Sequence, residues 1–232
     1  MTEIVDLMKR RRSLRIPFDP ERPIAKEKLA DILEAARWVP SAHNMQNFEI
    51  VVVDDKEVLD KIANLARPVS EVFIRENYEQ LSFSEEELLA RKTGLLASMF
   101  PSSWGKADFK LEEMDEDSVA SRQRSLFASP LMLVVVYDPS TRAPASEGDF
   151  LGIISLGCVM ENIWLAAESM GIGVQIVSSL GSPTEAKKIL GIPEDLVVAF
   201  SIRLGYPISE PPKYLRVRRD VEDFTHANRY PG

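Results

Sequence analysis

The chain has 232 residues, of which 45% are hydrophobic and 28% charged, and its formal net charge is −8 at pH 7. This composition is ordinary for a globular protein with a real core, and the acidic balance disfavours nucleic acid and membrane surfaces as partners. Cys158 is the only cysteine and His43 and His226 the only histidines, so an intramolecular disulfide is excluded and no metal site is expected.

The first residues do not have the pattern of a secretory signal. Glu3 and Asp6 interrupt the segment before the basic residues, and no continuous apolar stretch precedes them. We therefore expect a reducing, cytoplasmic location.

The first part of the chain predicts helices and one strand, separated by turn-forming residues. Apolar residues at helical or strand spacing define the elements, and the prolines Pro17, Pro20 and Pro23 favour an extended connector between the first two helices. Asp54 or Asp55 is placed to cap the third helix. In chain order we predict a helix over 2–10, a helix over 26–38, a turn at 40–44, a strand over 48–53 and a helix over 56–66.

The middle of the chain, residues 69–128, differs from its flanks. It is highly charged, has no clear strand pattern, and predicts helices over 84–97 and 118–127. Its bulky apolar residues are too few for a core of its own. We interpret it as an excursion from one domain spanning residues 1–232, serving as a lid or a subunit contact.

The last part alternates strands and helices around one unusually apolar helix. That helix is apolar nearly all round, so we expect it to be buried in the core, and its Glu161, Asn162 and Glu168 argue against a membrane span. The elements are a strand over 131–137, the apolar helix over 149–170, a strand over 172–180, a helix over 183–190, a strand over 196–204 and a proline-rich tail over 206–232. The fold class is α+β, with a mainly antiparallel or mixed sheet around the apolar helix.

Common catalytic motifs are missing from the sequence. There is no P-loop, no G-x-S-x-G elbow and no evident pair of nucleophile and base. Gly171 and Gly173 follow a helix and precede a strand, the reverse of a dinucleotide-binding turn. If the protein is an enzyme, a cofactor supplies its reactive group.

Basic residues concentrate near the two ends of this acidic chain. Residues 9–15 and 213–219 hold nine of the 28 lysines and arginines. If the fold brings them together, their guanidinium groups could form a pocket for a phosphate or other anion. The alternative is two solvated basic segments.

Four sequence pieces, taken in order, resemble the FMN-dependent nitroreductase family. That family opens with R-R-S-x-R, has P-S-x-x-N-x-Q-P-W before a strand, a long helix ending in L-x-A-x-x-x-G-[IL]-G, and a closing G-Y-P with a basic tail. The corresponding pieces are Arg11-Arg12-Ser13-Leu14-Arg15, Pro40-Ser41-Ala42-His43-Asn44-Met45-Gln46, Gly171-Ile172-Gly173-Val174-Gln175-Ile176-Val177-Ser178, and Leu204-Gly205-Tyr206-Pro207 with Arg216-Val217-Arg218 downstream.

The resemblance covers about residues 9–66 and 129–232, and the middle excursion matches nothing specific. The helix around Asn162 looks especially like the branch with flavin-destroying and iodotyrosine-deiodinating enzymes. At two positions the sequence departs from the family, because Asn47 and Phe48 stand where proline and tryptophan are usual.

The resemblance implies a set of cofactor-binding residues for FMN. Arginine and serine side chains from both ends would hold the phosphate and ribityl chain, Arg15 would lie near N1 and O2 of the flavin, the amides of the turn would meet the ring edge, and Val177 and Ser178 would face N5 and O4. The implied residues are Arg11, Arg12, Ser13, Arg15, Ser41, Asn44, Gln46, Val177, Ser178, Arg216 and Arg218.

The resemblance also implies an activity and an assembly. The expected enzyme takes hydride from NADH or NADPH onto flavin N5 and passes electrons to a small acceptor, such as a nitroaromatic or a quinone, by a ping-pong scheme. No protein side chain is expected to be the catalytic acid or base. The fold would be a three-layer α-β-α arrangement, and the protein a homodimer with the active site at the subunit interface and the C-terminal tail exchanged.

Three matters stay open at the level of sequence. The turnover could instead be reductive dehalogenation or flavin cleavage, or the protein could bind flavin as a redox sensor without turnover. The preference for NADH or NADPH has no selector motif. Phe100 and Trp104, in the excursion, are candidates for a substrate lid, although they could simply pack beneath it.

Overall fold

The computed structural model describes residues 2–65, 82–96, 129–144, 148–178, 180–211 and 215–230. Contacts within the chain separate two compact units. The first comprises Met1–Arg67 with Asp117–Pro211, and the second joins Pro68–Glu116 to Pro212–Gly232. The second unit thus pairs the middle excursion with the tail, and organisation as a single domain stays a prediction.

The first unit is built on a four-stranded antiparallel sheet, which confirms the predicted α+β class. Its strand order is β1-β4-β6-β5, so β1 and β5 are the edge strands. Each predicted strand forms within a few residues of its expected bounds. These strands are β1 (Phe48–Val53), β4 (Leu131–Tyr137), β5 (Gly173–Val177) and β6 (Val197–Gly205).

Helices cover both faces of this sheet, giving the three-layer arrangement. The helices of this unit are α1 (Glu3–Arg10), α2 (Lys26–Arg37), α3 (Lys56–Ala63), α5 (Phe150–Ser169) and α6 (Pro183–Leu190), with a 3₁₀ turn at Ala42–Asn44. Helices α2 and α5 pack together on one face, and α3 and α6 on the other.

Strand β4 shows why the sheet is central. All seven of its residues are buried, and they alternate between the two cores. Leu133 and Val135 face the core with α2 and α5, while Met132 and Val134 face the core with α3 and α6. A strand that is covered on both faces has apolar residues at every position, so the uninterrupted apolar sequence of β4 correctly predicted its central place.

The long helix α5 is buried on one face only. Six of its residues are buried, among them Val159, Ile163 and Ala167, so its role as the central core helix is confirmed. The prediction that the helix is buried on every face is wrong for a single chain. Four residues near its start are 40% or more exposed: Phe150, Leu151, Ile153 and Ile154. By length and composition alone this helix could also cross a membrane. In its most apolar 18-residue stretch, 33% of the residues are buried in the protein.

The residues that the sequence predicts to begin and end helices are confirmed in these positions. The Asp55 carboxylate accepts a hydrogen bond from the Val58 N–H, which caps α3. The Ser182 hydroxyl does the same for the Glu185 N–H at the start of α6. Gly171 and Gly191, after α5 and α6, have the left-handed φ values of 71° and 66° that glycine tolerates best.

The second unit contains strands that the sequence pattern did not predict. Two short parallel strands, β2 (Ser82–Phe83) and β3 (Leu95–Leu96), flank the helix α4 (Glu85–Arg91). The predicted helix over 84–97 is therefore too long, because Lys92 and Gly94 adopt positive φ and turn the chain into β3. The predicted helix over 118–127 lies outside the described residues.

In the second unit the tail is joined to α4 by charge. Lys92 Nζ lies 2.5 Å from an Asp220 carboxylate oxygen and 2.8 Å from one of Asp223. Asp220 and Asp223 begin and end a short 3₁₀ turn at Val221–Asp223 with a capping box. We call these three residues the Lys92 cluster.

Candidate functional site

The arginine-bearing segment after α1 lies along the edge strand β5. Ser13 forms a parallel bridge with Val174, and the Leu14 N–H donates to the Val174 carbonyl at 2.8 Å. Trp164 of α5 adds a third contact, since its indole N–H donates to the Arg12 carbonyl at 3.3 Å. The backbone of this segment is thus fixed to both the sheet and the core helix.

Two glycines allow the segment to approach the sheet closely. Gly173 and Gly205 are register partners on β5 and β6. A Cβ on Gly173 would lie 2.8 Å from side-chain atoms of Leu14 and Phe18, and one on Gly205 would lie 2.6 Å from Phe18. Because real Cβ atoms do not approach so closely, side chains at either position would push the segment off the sheet.

Arg11 is held by residues of α5. Its Nε lies 3.2 Å from a Glu161 carboxylate oxygen, and its guanidinium carbon lies 4.3 Å from the centre of the Trp164 ring. A guanidinium has five N–H donors, so these contacts leave donors for a further anion. Arg12 is half-buried and Arg15 is exposed.

The structure brings the first basic segment and the end of β5 to the same edge. Ser13 and Leu14 lie beside Val174 of β5, the strand that ends at Val177 and is followed by Ser178. Val177 is buried and Ser178 exposed at this end. Six predicted cofactor residues therefore belong to this segment or to the end of β5, at one edge of the sheet: Arg11, Arg12, Ser13, Arg15, Val177 and Ser178.

The turn before β1, residues 41–46, has an unusual backbone. His43, Asn44 and Gln46 have φ values of 51°, 56° and 46°. A left-handed conformation costs a non-glycine residue about 1–2 kcal/mol, so the surroundings must hold this turn in place. Such strain is typical of functional sites, and the predicted residues Asn44 and Gln46 are exposed there.

Hydrogen bonds within the turn order its amide groups. The Asn44 N–H donates to the Ser41 carbonyl at 2.9 Å, and the Gln46 N–H donates to the Ser41 hydroxyl oxygen at 3.0 Å. The Gln46 side-chain amide donates to the Asn44 carbonyl at 3.4 Å. Ser41 thus organises the turn, which leaves the Asn44 side chain at its surface.

The turn and the arginine segment lie at opposite edges of the sheet. The turn leads into β1, whereas the arginine segment pairs with β5, and β4 and β6 lie between them. Three inter-strand spacings separate the edges by about 14 Å. One chain therefore does not bring the turn and the arginine segment together by sheet pairing, although α5 contacts both the turn and α1.

The remaining predicted residues either belong to the second unit or lie outside the described residues. Arg216 is half-buried and Arg218 is exposed in the second unit, where the Arg218 guanidinium donates to the Val217 carbonyl at 2.7 Å. Convergence of these tail arginines with the first basic segment stays a prediction. Phe100 and Trp104 lie outside the described residues.

The end of α2, which precedes the turn in sequence, holds a charged contact around Glu34. The Trp38 indole N–H donates to Glu34 at 2.7 Å, and this bond, followed by the Arg37 contact, holds the pKa of the Glu34 carboxyl below its usual range. Trp38 is itself 72% exposed and lies three residues before Ser41, the first residue of the turn. Among the described residues no group of three or more His, Cys, Asp or Glu side chains could hold a metal ion.

Sequence reasoning missed the contribution of α5 to the arginine segment. Glu161 and Trp164 are three residues apart, so they share one face of the helix. A carboxylate in an otherwise apolar helix was the available signal, since such a charge needs a cationic partner.

Comparisons with known proteins agree with the fold and with the family resemblance. The sequence model of the Nitroreductase family matches residues 8–206. A nitrobenzene nitroreductase from Ectopseudomonas oleovorans is 25% identical over 230 residues, covering 96% of this chain and 95% of that protein. An NADPH-flavin oxidoreductase from Vibrio harveyi is 32% identical over 94 residues, and that alignment spans 40% of this chain and 38% of the relative.

Solved structures share the architecture. The NADPH:FMN oxidoreductase from Vibrio harveyi, in complex with NAD⁺, matches with a TM-score of 0.61 at 21% identity, covering 100% of this chain and 79% of that one. A nitroreductase family protein from Clostridium novyi NT matches with a TM-score of 0.60 at 20% identity, covering 89% of this chain and 87% of that one. The family match over residues 8–206 and the shared fold lead to one conclusion: this chain belongs to the Nitroreductase family.

Proposed function

We propose that this protein is an FMN-dependent oxidoreductase that uses NADH or NADPH to reduce a small acceptor such as a nitroaromatic or a quinone. The observation that carries the proposal is the family match over residues 8–206. Relatives named as a nitrobenzene nitroreductase, an NADPH-flavin oxidoreductase and an FMN reductase support nicotinamide as the reductant and aromatic or flavin compounds as acceptors.

The donor set along β5 fits a flavin phosphate. Guanidinium groups give a phosphate charge-assisted hydrogen bonds, and Arg12 and Arg15 lie beside Ser13 on a backbone fixed to the sheet. Arg11, Arg12 and Ser13 would hold the phosphate and ribityl chain, and Arg15 would lie near the ring. Arg216 and Arg218 of the tail would complete the phosphate site.

When bound, FMN supplies hydride acceptance and donation at its N5, and the protein's own groups bind and orient. The Arg15 cation would favour negative charge on the neighbouring ring edge, as a preorganised charge does. Asn44 and Gln46 present amide groups that can both donate and accept at a polar ring edge. Val177 and Ser178 would border the opposite side of the ring.

The arrangement of these residues supports a homodimer with the site at the subunit interface. The turn and the arginine segment lie at opposite edges of one sheet, so a second copy can supply the half that the first lacks. Helix α5 runs between them and exposes Phe150, Leu151, Ile153 and Ile154. An apolar patch of this kind marks a protein contact, and exchange of the proline-rich tail would enlarge it.

Specialised flavin reactions are the second candidate. The sequence around Asn162 resembles the branch with deiodinating and flavin-cleaving members, so reductive dehalogenation and flavin cleavage are alternative outcomes. A flavin-binding redox sensor without turnover is a third. A cytoplasmic location, without nucleic acid or membrane as partner, stays a prediction.

An absorbance spectrum of the purified protein tests the proposal first. We expect a yellow protein, or one that binds added FMN, that bleaches when NADH or NADPH is added without oxygen. Steady oxidation of NAD(P)H that depends on a nitroaromatic or a quinone would support turnover. A colourless protein that fails to bind added FMN would overturn the proposal.

Product analysis then separates the alternatives. In one reaction the holoprotein is incubated with NADH or NADPH and a halogenated phenol without oxygen. In a second reaction it is incubated with NADH or NADPH, added FMN and oxygen, without a phenol. Release of halide indicates dehalogenation, and loss of FMN with new flavin fragments indicates cleavage. Bleaching by NAD(P)H without turnover of any acceptor favours the sensor.

A further inference from the structure

Asn47 connects the strained turn 41–46 to strand β1 and is almost completely buried. Its residue exposure is 6%, and it follows Gln46, the last residue of the turn with a positive φ. In the nitroreductase motif proline is usual here, and proline has no side-chain donor. Asparagine at this junction therefore adds a hydrogen-bonding group that this chain can use.

Asn47 is bound at two points to the segment after β4. Its carbonyl accepts a hydrogen bond from the Asp138 N–H at 3.1 Å, and its side-chain amide donates to the Thr141 carbonyl at 3.3 Å. Both partners belong to residues 138–141, so main chain and side chain of Asn47 hold the same neighbouring turn.

The neighbouring turn is itself well braced. The Asp138 carboxylate accepts hydrogen bonds from the Ser140 N–H at 2.8 Å, the Ser140 hydroxyl at 2.6 Å and the Thr141 hydroxyl at 2.5 Å. These bonds hold the pKa of the Asp138 carboxyl below its usual range, chiefly through the Ser140 hydroxyl. Residues 138–141 are thus a firm anchor for Asn47.

The first turn of α5 encloses Asn47 from the other side. A Cβ on Gly152 would lie 2.8 Å from Asn47 Nδ2, 2.6 Å from Asp149 Oδ1 and 2.9 Å from the Tyr137 hydroxyl oxygen. Asn47 Oδ1 is buried and has no hydrogen-bond partner among the described residues. The bond to the Thr141 carbonyl is therefore the side-chain contact that fixes Asn47, and Gly152 leaves the room for it.

We propose that Asn47 is a positioning residue, which holds the turn 41–46 in its left-handed conformation by anchoring it to residues 138–141. Through the turn it sets the placement of the exposed Asn44 and Gln46 side chains. The effect on the turn stands on the geometry above, and its consequence for catalysis rests on the proposed flavin site.

Hydrogen exchange measured without cofactor tests the effect on the turn. The N–H groups of Asn44, Met45 and Gln46 are all hydrogen-bonded within the turn. Asn47→Asp replaces the donor by an oxygen that faces the Thr141 carbonyl. We expect these three amides to exchange about two- to tenfold faster, the change that corresponds to losing one ordinary hydrogen bond.

Asn64→Asp is the matched control for this experiment. The Asn64 side-chain amide also donates to a main-chain carbonyl, that of Asp60 at 2.8 Å, after α3 on the other face of the sheet. It should leave the exchange of the turn unchanged. If Asn47→Asp does not fold, Gly152→Ala places a methyl group against the same amide and should accelerate the same three N–H groups.

The holoprotein tests the consequence for catalysis. We expect Asn47→Asp to raise the KM for the acceptor and to shift the midpoint potential of bound flavin, whereas Asn64→Asp does neither. Faster exchange together with a wild-type protein that binds no flavin would retain the positioning role and overturn only the proposed function. Unchanged exchange in both Asn47→Asp and Gly152→Ala would overturn the positioning role. Faster exchange with unchanged KM and potential in the flavin-bound protein would overturn its consequence for catalysis.

Discussion

Arg11 shows how one side chain can serve the core and a ligand at once. Its guanidinium lies over Trp164 and beside Glu161, both on α5, and its side chain is 24% exposed. The ring and carboxylate fix its orientation before any anion arrives. A preoriented cation loses less conformational freedom on binding than a solvated one.

Removing this charge tests its proposed role in holding phosphate. We expect Arg11→Gln to weaken FMN binding about tenfold, the loss typical of one charge-assisted hydrogen bond. Glu161→Gln should leave binding unchanged or tighten it, because glutamine keeps an oxygen that can orient Arg11 and removes a competing negative charge. Both are measured by titration of flavin fluorescence.

Arg10→Gln is the control for Arg11→Gln, because Arg10 is exposed at the end of α1. It should bind FMN like the wild type. Equal affinity of all three variants would contradict a role for Arg11 in the phosphate site.

Residue roles that depend on neighbours in sequence were predictable, and those that depend on distant neighbours were not. Asp55 and Ser182 cap helices through N–H groups three residues away, so their pattern alone suffices. The Arg11–Glu161 contact joins residues 150 positions apart in the sequence. The positive φ of Gln46 is imposed by the fold, because glutamine is not among the non-glycine residues that favour this conformation.

At the scale of elements, helix α5 carries two different surfaces. Its buried face packs on the sheet, whereas its first turns present Ile153 and Ile154, 60% and 48% exposed, to the surroundings. A continuous apolar sequence does not show which faces of the helix are covered by its own chain. This is why the sequence predicted burial all round and a single chain shows burial on one face.

A charge within the exposed stripe should separate the proposed dimer. We expect Ile153→Glu to give a monomer that binds FMN weakly, since an unpaired carboxylate is costly in an apolar interface. Light scattering after size-exclusion chromatography gives the mass. Val197→Glu, at a residue 46% exposed on β6, is the control and should keep the wild-type mass. A dimeric Ile153→Glu protein would place the interface elsewhere.

In the second unit, the Lys92 cluster joins the tail to α4. The pKa of the Asp223 carboxyl lies below its ordinary 3.8, chiefly through Lys92, and the pKa of the Lys92 amine lies above its ordinary 10.5, chiefly through Asp220. The Asp223 contribution is full above pH 3.8 and is lost as pH falls through the lowered value. The Lys92 contribution is full below pH 10.5 and is lost as pH rises through the raised value.

The contribution of the Asp223 and Lys92 charges to attachment of the tail should therefore be independent of pH between 3.8 and 10.5. We expect Lys92→Met to speed the exchange of tail amides at pH 7 and to remove their dependence on salt, because exposed ion pairs are screened. Exchange measured by mass spectrometry at low and high salt checks this. Lys56→Met, which breaks the Lys56–Asp60 pair on α3, is the control and should leave the tail unchanged. An unchanged tail in Lys92→Met would show that other contacts hold it.

The strands of the first unit were more predictable than the second unit for a physical reason. Strand β4 alternates between two cores, and a doubly covered strand needs apolar residues at every position. Strands β2 and β3 have two residues each, too few to show any periodicity. The charged excursion therefore showed no strand pattern, and the sequence predicted only the two helices over 84–97 and 118–127.

At the scale of the whole molecule, the sheet separates two groups of the predicted cofactor residues. Residues 11–15 lie along β5 and residues 41–46 lead into β1, with two strands between them. The sequence could identify both groups as candidate cofactor residues, because the family resemblance implies both. It could not say which chain contributes which set, since that depends on strand order.

This separation has a consequence for genetics. If each site borrows its turn from the neighbouring subunit, a chain damaged at Arg15 and a chain damaged at Asn44 are both inactive alone. A mixed assembly of the two contains one site with both defects and one with none. Co-expression of Arg15→Ala and Asn44→Ala should thus restore a fraction of wild-type turnover, whereas refolding either variant alone should not. Such intragenic complementation would be impossible if each polypeptide enclosed its own flavin.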